Sequence, residues 1–218
     1  MNASTPASDP KNRGITMRQM HRPASATALL ALTSVFLVGL TASADAAPAK
    51  KKYHFKLAAV TAKEGVKKDV AKEATPRVEA QVKKAFETNP QLVAIGDGAP
   101  DPDTAAGAYR KFLTRKGVAA AYLVTVEITD ASIEIVPEDR KPNTQRVVVH
   151  VGVHFLGENI PGRTMGFTGD GSATIKQEIG MKVRDKDREY TWDQAAEAAV
   201  ADAMTTVFKQ LAVPQKKQ

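Results

Sequence analysis

The chain has 218 residues, of which 43% are hydrophobic and 25% are charged, and it contains no cysteine. This length and composition are typical of a globular protein with one sizeable core. The missing thiols exclude a disulfide-bonded scaffold, a cysteine-ligated zinc or iron–sulfur site, a thiol nucleophile and a diacylglyceryl lipoprotein anchor. With 31 basic and 24 acidic side chains, the formal net charge is +7.

The N-terminal segment has the three parts of a secretory signal. Basic side chains come first: Arg18, His21 and Arg22. An apolar run at 24–40 follows, interrupted by hydroxyl side chains, and Ala44-Asp45-Ala46 has the small residues of a signal-peptidase site. We predict a signal peptide over residues 1–46, cleaved near Ala46, rather than an uncleaved anchor, which usually has about 20 strongly apolar residues. Met17 would start a more usual signal peptide than Met1. The protein is then periplasmic or secreted and meets the membrane only during export.

Removing the signal leaves a basic chain whose excess charge lies partly in two tails. We predict that both tails, at 47–52 and 214–218, are flexible. Clustered Lys and Arg interleaved with aromatic residues would indicate a nucleic-acid-binding face, and this pattern does not occur in the sequence. We therefore expect no nucleic acid partner.

The first half of the mature chain predicts two strands and two helices. Residues 53–61 are a strand, and 62–74 are a loop or a loose, solvated helix. Thr75-Pro76 predicts a helix start, because a hydroxyl can cap the helix and proline suits its first position. Four apolar side chains at helical spacing follow: Val78, Val82, Ala85 and Phe86. Asn89-Pro90 ends this helix.

A short apolar strand is predicted at 92–95, before a turn at 96–103 that is rich in Gly, Pro and Asp. Asp103 or Thr104 can cap a second helix, which ends at Gly117 in the usual position for glycine.

The second half predicts a meander of antiparallel strands and a closing helix. Residues 120–135 alternate in polarity with a kink near Asp130, and a long strand at 147–155 has valines on one face. A glycine-rich strand follows at 164–178. Thr191-Trp192-Asp193-Gln194 has the pattern of a capping box, so we predict that the last helix starts there, with Trp192 packed across its end.

The predicted order is β-α-β-α-β-β-β-α. Each helix has a single apolar stripe, which needs a sheet to cover it. We predict an α/β (α+β) fold, one domain over 53–213, with a single mixed sheet and helices packed mainly on one face.

The residues that could carry chemistry are few. His150 and His154 have metal-ligand spacing, but in a strand four residues span about 13 Å, too far for one ion. We predict that both lie on the wetter sheet face, as candidate partner-binding residues. Ser172 lacks the glycines of a nucleophile elbow. The prolines of the loop 97–103 oppose a calcium loop, so we interpret its aspartates as turn and cap residues. The sequence predicts no cofactor and no metal site.

The mature chain resembles a known group of periplasmic domains. Six segments carry the resemblance: 55–60, 78–86, 92–95, 109–112, 120–178 and 195–211. Their order and polarity are similar to those of the TolB N-terminal, CsgG and LpoB group. The resemblance implies a periplasmic module without enzymatic activity that docks other envelope proteins.

The leading hypothesis from the sequence is a non-enzymatic extracytoplasmic binding or assembly domain whose partners are other envelope proteins. Two alternatives stay open. One is a hydrolase that uses Asp or Glu, or a histidine, and the other is a small-ligand-binding domain. An enzyme should show a pocket with converging carboxylates, whereas a docking module should show an uncovered strand edge or sheet face.

Overall fold

The computed structural model describes residues 50–138, 141 and 143–213. The predicted signal peptide at 1–46 and the predicted tail at 214–218 lie outside these residues. The described elements are β1 (Lys52–Ala62), α1 (Lys68–Thr88), α2 (Ala106–Arg115), β2 (Val118–Pro137), β3 (Thr144–Ile160), β4 (Met165–Gly180) and α3 (Asp185–Ala212). Among them, no helix is long and apolar enough to cross a membrane.

The four strands form one mixed sheet in the order β1-β2-β3-β4. β1 runs parallel to β2, whereas β2, β3 and β4 form an antiparallel meander. A register shift between Ile128 and Asp130 marks the kink predicted near Asp130, and β2 continues beyond it to Pro137. The α+β class with a single mixed sheet is therefore confirmed.

α1 and α3 cover one face of the sheet, which we call the inner face. The alternation predicted for β3 is confirmed, because five of its side chains are at most 1% exposed: Val147, Val149, Val151, Val153 and Phe155. α3 lies very close to β4. A Cβ atom added at Gly171 would be 2.3 Å from the carbonyl oxygen of Ala199 in α3. Only glycine allows this approach of a helix to a strand.

α2 packs on the opposite face, which we call the outer face. Its Tyr109 and Leu113 form a small apolar cluster with Val118 and Ala121 at the beginning of β2. Neighbouring residues of a strand point to opposite faces, and Tyr122 belongs to the inner core, so Ala121 points outward. Two of the three helices thus lie on the inner face.

α1 begins at Lys68, seven residues before the predicted cap at Thr75, so the helical alternative for 62–74 is the correct one from Lys68 onward. Pro76 lies inside the helix, and the Thr75 hydroxyl donates to the carbonyl oxygen of Ala71 at 2.8 Å. The reason is burial. Val70 and Ala74 extend the stripe of Val78 and Val82 at intervals of four residues, and packing this longer stripe on the sheet outweighs the cost of an internal proline.

α3 begins at Asp185, so the capping box predicted at Thr191 is wrong. Thr191 is fully buried inside the helix, where its hydroxyl donates to the carbonyl oxygen of Asp187 at 2.7 Å. Two acidic residues in the first turn favour the earlier start, and Arg184 binds Asp187 at 2.7 Å. Trp192 does not pack across a helix end. It is 0% exposed in the main core.

Two predictions for the segment between the first helices also need correction. The predicted strand at 92–95 is reduced to an isolated bridge between Leu92 and Tyr53. Val93 and Ile95 instead pack against the α2 cluster on the outer face, which draws the chain away from the edge of β1. The N-cap of α2 is Ala105, not Asp103 or Thr104, and it has no side-chain cap. The predicted glycine end of α2 is confirmed, with a φ of 67° at Gly117.

Candidate functional site

His150 and His154 lie on the outer face of β3, as predicted, and both are half-buried. His154 Nδ1 is 2.7 Å from the Asp170 carboxylate of β4. His150 Nδ1 is 2.9 Å from the Thr174 hydroxyl, and its Nε2 is 3.5 Å from the Asp130 carboxylate of β2. Each imidazole thus has its own partners on a neighbouring strand. The two histidines share no side-chain partner among the described residues.

The aspartates of the loop 97–103 line one cavity on the outer face, and Asp101 among them is bonded within its own turn. The Asp101 carboxylate accepts hydrogen bonds from the Asp103 backbone N–H and from the Thr104 hydroxyl, both at 3.0 Å. These two bonds hold the pKa of Asp101 below its usual range. The interpretation of this loop as turn chemistry is confirmed for Asp101. Within the described ranges no group of three His, Asp or Glu side chains could hold a metal ion.

The two outer strands of the sheet differ in how their edges are covered. α3 covers the edge of β4 between Thr168 and Ser172, because Gln210 accepts the backbone N–H of Thr168 at 2.9 Å and Asp202 accepts that of Ser172 at 3.2 Å. Side chains of the helix therefore occupy the hydrogen-bonding positions that another strand would use. Ser172, which lacks the sequence pattern of a nucleophile, thus contributes its backbone N–H to this contact between β4 and α3.

The beginning of the β1 edge is covered by the chain that follows α1. Tyr53 donates its backbone N–H to Gln91 and accepts the N–H of Val93, both at 2.8 Å. These bonds point away from β2. Since backbone direction alternates along a strand, the N–H and C=O groups of Phe55 and Leu57 also point away from β2.

Among the described residues, no strand lies beside the remainder of the β1 edge. After the register shift between Leu57 and Ala59, even-numbered instead of odd-numbered residues of this segment point away from β2. Lys63 accordingly points toward β2 and donates its N–H to the carbonyl oxygen of Ile128. The backbone groups of Val60 and Ala62 therefore point outward. In the part of the chain that the structure describes, these outward groups have no hydrogen-bond partner. Ala59 and Ala62 are exposed, so the edge is accessible.

A cavity of about 520 Å³ lies on the outer face, between the start of β1 and the loop that precedes α2. His54 lines it and is half-buried. Its Nδ1 is 2.9 Å from the carbonyl oxygen of Val93, and burial lowers its pKa from the usual value near 6.5. Sequence reasoning did not single out His54. The available signal was its position between the inward-facing Tyr53 and Phe55, which places it on the opposite, wetter face.

The side chains of these sites offer hydrogen-bond donors and acceptors. No serine hydroxyl contacts an imidazole among the described residues, and the histidine–carboxylate pair of β3 and β4 is open to solvent, with Asp170 78% exposed. A general base needs a nucleophile or substrate proton within hydrogen-bond reach. What the described residues offer is an uncovered stretch of strand edge, a polar outer face and several cavities, including the one lined by His54.

No family model matches the chain, and no curated protein matches it. The structure is similar to solved structures of bacterial lipoproteins. A minor lipoprotein from Acinetobacter baumannii is 11% identical with a TM-score of 0.39, over 77% of this chain and 97% of that one. The rare lipoprotein B from Shewanella oneidensis is 10% identical with a TM-score of 0.36, over 73% and 99%. A putative lipoprotein from Caulobacter crescentus is 11% identical with a TM-score of 0.40, over 74% and 93%.

Proposed function

We propose that this chain is a non-enzymatic docking module of the cell envelope, and that its β1 edge receives an extended segment of a partner protein. The observation that carries the proposal is the difference between the two sheet edges. α3 occupies the edge of β4 at Thr168 and Ser172 with two side chains. No side chain or strand of the described residues occupies the outward backbone groups of four β1 residues: Phe55, Leu57, Val60 and Ala62. Proteins usually protect such edges, so a bare one is a site for strand addition.

The side chains along this edge fit a strand partner. Leu57 and Val60 are half-buried and turn toward the core, while Ala58, Ala59 and Ala62 are small and exposed. Small side chains let a second backbone approach to the spacing of about 4.8 Å between strands. The irregularity at Ala58 divides the edge, which limits the regular part to Ala59–Ala62 and suits a short segment.

Charge indicates which partner fits. Between positions 52 and 69 the chain has five lysines and only two acidic residues, Glu64 and Asp69. Lys56 and Lys63, on either side of the free edge, form no ion pair within the described ranges. A second copy of the chain would bring more positive charge to this edge, whereas an extended segment flanked by Asp or Glu would neutralise it. The proposed occupant is therefore an apolar, extended segment with acidic ends, from another envelope protein.

A peptide experiment tests the edge directly. The probe is the capped peptide Asp-Thr-Val-Thr-Val-Asp, with Lys-Thr-Val-Thr-Val-Lys as the charge-reversed control. Binding is followed by amide chemical shifts and hydrogen exchange. We expect the acidic peptide to slow exchange at Val60 and Ala62, to leave Thr168 and Ser172 on the β4 edge unchanged, and to bind at least about tenfold more tightly than the basic one.

The matched variants are Ala62→Pro and Ala62→Ser. Proline removes the outward N–H of Ala62 without breaking the β1–β2 ladder, and proline is tolerated on an edge strand. We expect Ala62→Pro to abolish peptide binding and Ala62→Ser to preserve it. Equal binding by both variants would refute the edge as the site. A concentration-dependent dimer that Ala62→Pro abolishes would show that the occupant is a second copy, and would refute the acidic partner.

A further inference from the structure

The cavity lined by His54 offers a ligand different contacts from those of the free β1 edge. It lies between the outer face of the sheet and the loop at 95–103, and its volume of about 520 Å³ falls in the range of small-molecule sites. The edge presents backbone groups in a row, whereas the cavity presents side chains from several parts of the chain. It shares Phe55 and Lys56 with the edge, and its other lining residues lie outside β1 apart from His54.

The hydrogen bond of His54 determines which of its nitrogen atoms is available. The carbonyl oxygen of Val93 can only accept, so Nδ1 carries the proton and donates to it at 2.9 Å. In the neutral imidazole, Nε2 then has a free lone pair. In the described part of the chain nothing donates to this atom. A ligand that enters the cavity can donate a hydrogen bond to it.

Both signs of charge line the cavity. Lys56 has no ion-pair partner among residues 50–138, 141 and 143–213. Arg163 is only loosely paired, at 3.7 Å from the Asp103 carboxylate and 3.6 Å from the Glu158 carboxylate. Asp97 is exposed and forms no hydrogen bond or ion pair within those ranges. The site therefore offers cations for a carboxylate and acceptors for an ammonium group.

The remaining wall is apolar. Ile95, Leu123 and Ile160 line the cavity and are half-buried, and the buried Tyr109 also lines it. An aliphatic group placed against these side chains would remove apolar surface of both the ligand and the wall from water, which favours binding.

We propose that this cavity binds a small zwitterion with an aliphatic side chain, namely a free α-amino acid of the leucine type. Its ammonium group donates to His54 Nε2 and pairs with Asp97. Its carboxylate pairs with Lys56 and Arg163, and its side chain packs on the aliphatic wall. The inference does not depend on strand docking at β1.

Calorimetric titration with three related probes tests each part. Leucine carries all three groups, 3-methylbutylamine lacks the carboxylate, and 4-methylpentanoate lacks the ammonium group. We expect leucine to bind at least about tenfold more tightly than either analogue, because it uses both charges. If either analogue binds as tightly as leucine, or if none of the three binds, the proposal is refuted.

Two exposed positions give variants without a folding risk. Lys56→Gln should weaken leucine and 4-methylpentanoate by about tenfold and leave 3-methylbutylamine unchanged, while Asp97→Asn should weaken leucine and the amine but not the acid. Lys63→Gln and Asp69→Asn are the matched controls outside the cavity and should change nothing. Equal effects of Lys56→Gln on all three probes would overturn the assignment. Because Ala62→Pro should leave leucine binding intact, failure of this proposal and failure of edge docking are distinguishable.

Discussion

Replacing Gly171 with alanine tests the closest contact between α3 and the sheet. The added Cβ would lie 2.3 Å from both the carbonyl oxygen of Ala199 and the backbone nitrogen of Ala203. Ordinary contact begins near 3.4 Å, so α3 must move by about 1.1 Å. The obstacle is helix backbone, which has no rotamer to change.

The expected cost is at the upper end of that for overpacking a core, about 3 kcal/mol in the free energy of unfolding. The reason is that α3 cannot move alone. Its buried side chains fill the inner core along more than four turns, from Trp192 to Val207, and each loses contact when the helix shifts. For a domain of this size the loss corresponds to a decrease in Tm of about 6–12 °C.

Urea denaturation followed by tryptophan fluorescence measures this effect, because Trp192 is the only tryptophan and is fully buried. Gly180→Ala is the matched control. It lies at the end of the same strand, and a Cβ added there meets nothing within 4 Å. We expect Gly180→Ala to change the unfolding free energy by less than about 0.5 kcal/mol. Equal stability of the two variants would refute the close packing of α3 on β4.

Three further predictions follow from particular contacts. Pro76→Ala should raise the unfolding free energy by about 2 kcal/mol, since it restores an internal helical hydrogen bond. The same urea titration measures this change, and a lower stability of Pro76→Ala would contradict the position of Pro76 inside α1. Asp101→Ala should speed hydrogen exchange at the Asp103 amide without affecting β2, and unchanged exchange would contradict the turn. Burial lowers the pKa of His54 in the folded protein below 6.5, so the unfolded state binds more protons than the folded state near and below this pH. The contribution of His54 to the unfolding free energy is therefore complete above pH 6.5 and decreases as the pH falls below that value. The stability difference between the protein and His54→Gln should therefore shrink between about pH 7.5 and pH 5, and a constant difference would refute the lowered pKa.

The sequence predicted the elements whose pattern is set by their own side chains. The alternation of valines in β3 is visible in the chain because a half-covered strand has a period of two, and the stripe of Val78 and Val82 is visible because a helix repeats every 3.6 residues. The position of His150 and His154 on the outer face follows from the same alternation. In these cases one covered face is enough to determine the pattern.

The errors occur where distant contacts compete with a local signal. Thr75-Pro76 and Thr191 both have good helix-start chemistry, yet each lies inside a helix, because burial of Val70 and Trp192 stabilises the longer helices by more than a cap contributes, which is about 1 kcal/mol. The strand expected at 92–95 was lost for a related reason, since Val93 and Ile95 pack against the α2 cluster instead of extending the sheet.

The candidate sites divide in the same way. Sequence alone determined which residue types are present and which face each strand residue takes, because alternation is a local property of the chain. Only the tertiary structure decided that α3 covers part of the β4 edge, that nothing described covers the end of β1, and that His54, Asp97 and Arg163 line one cavity. These outcomes depend on contacts between residues at least 30 positions apart. Local spacing along a chain does not indicate which distant segments pack together.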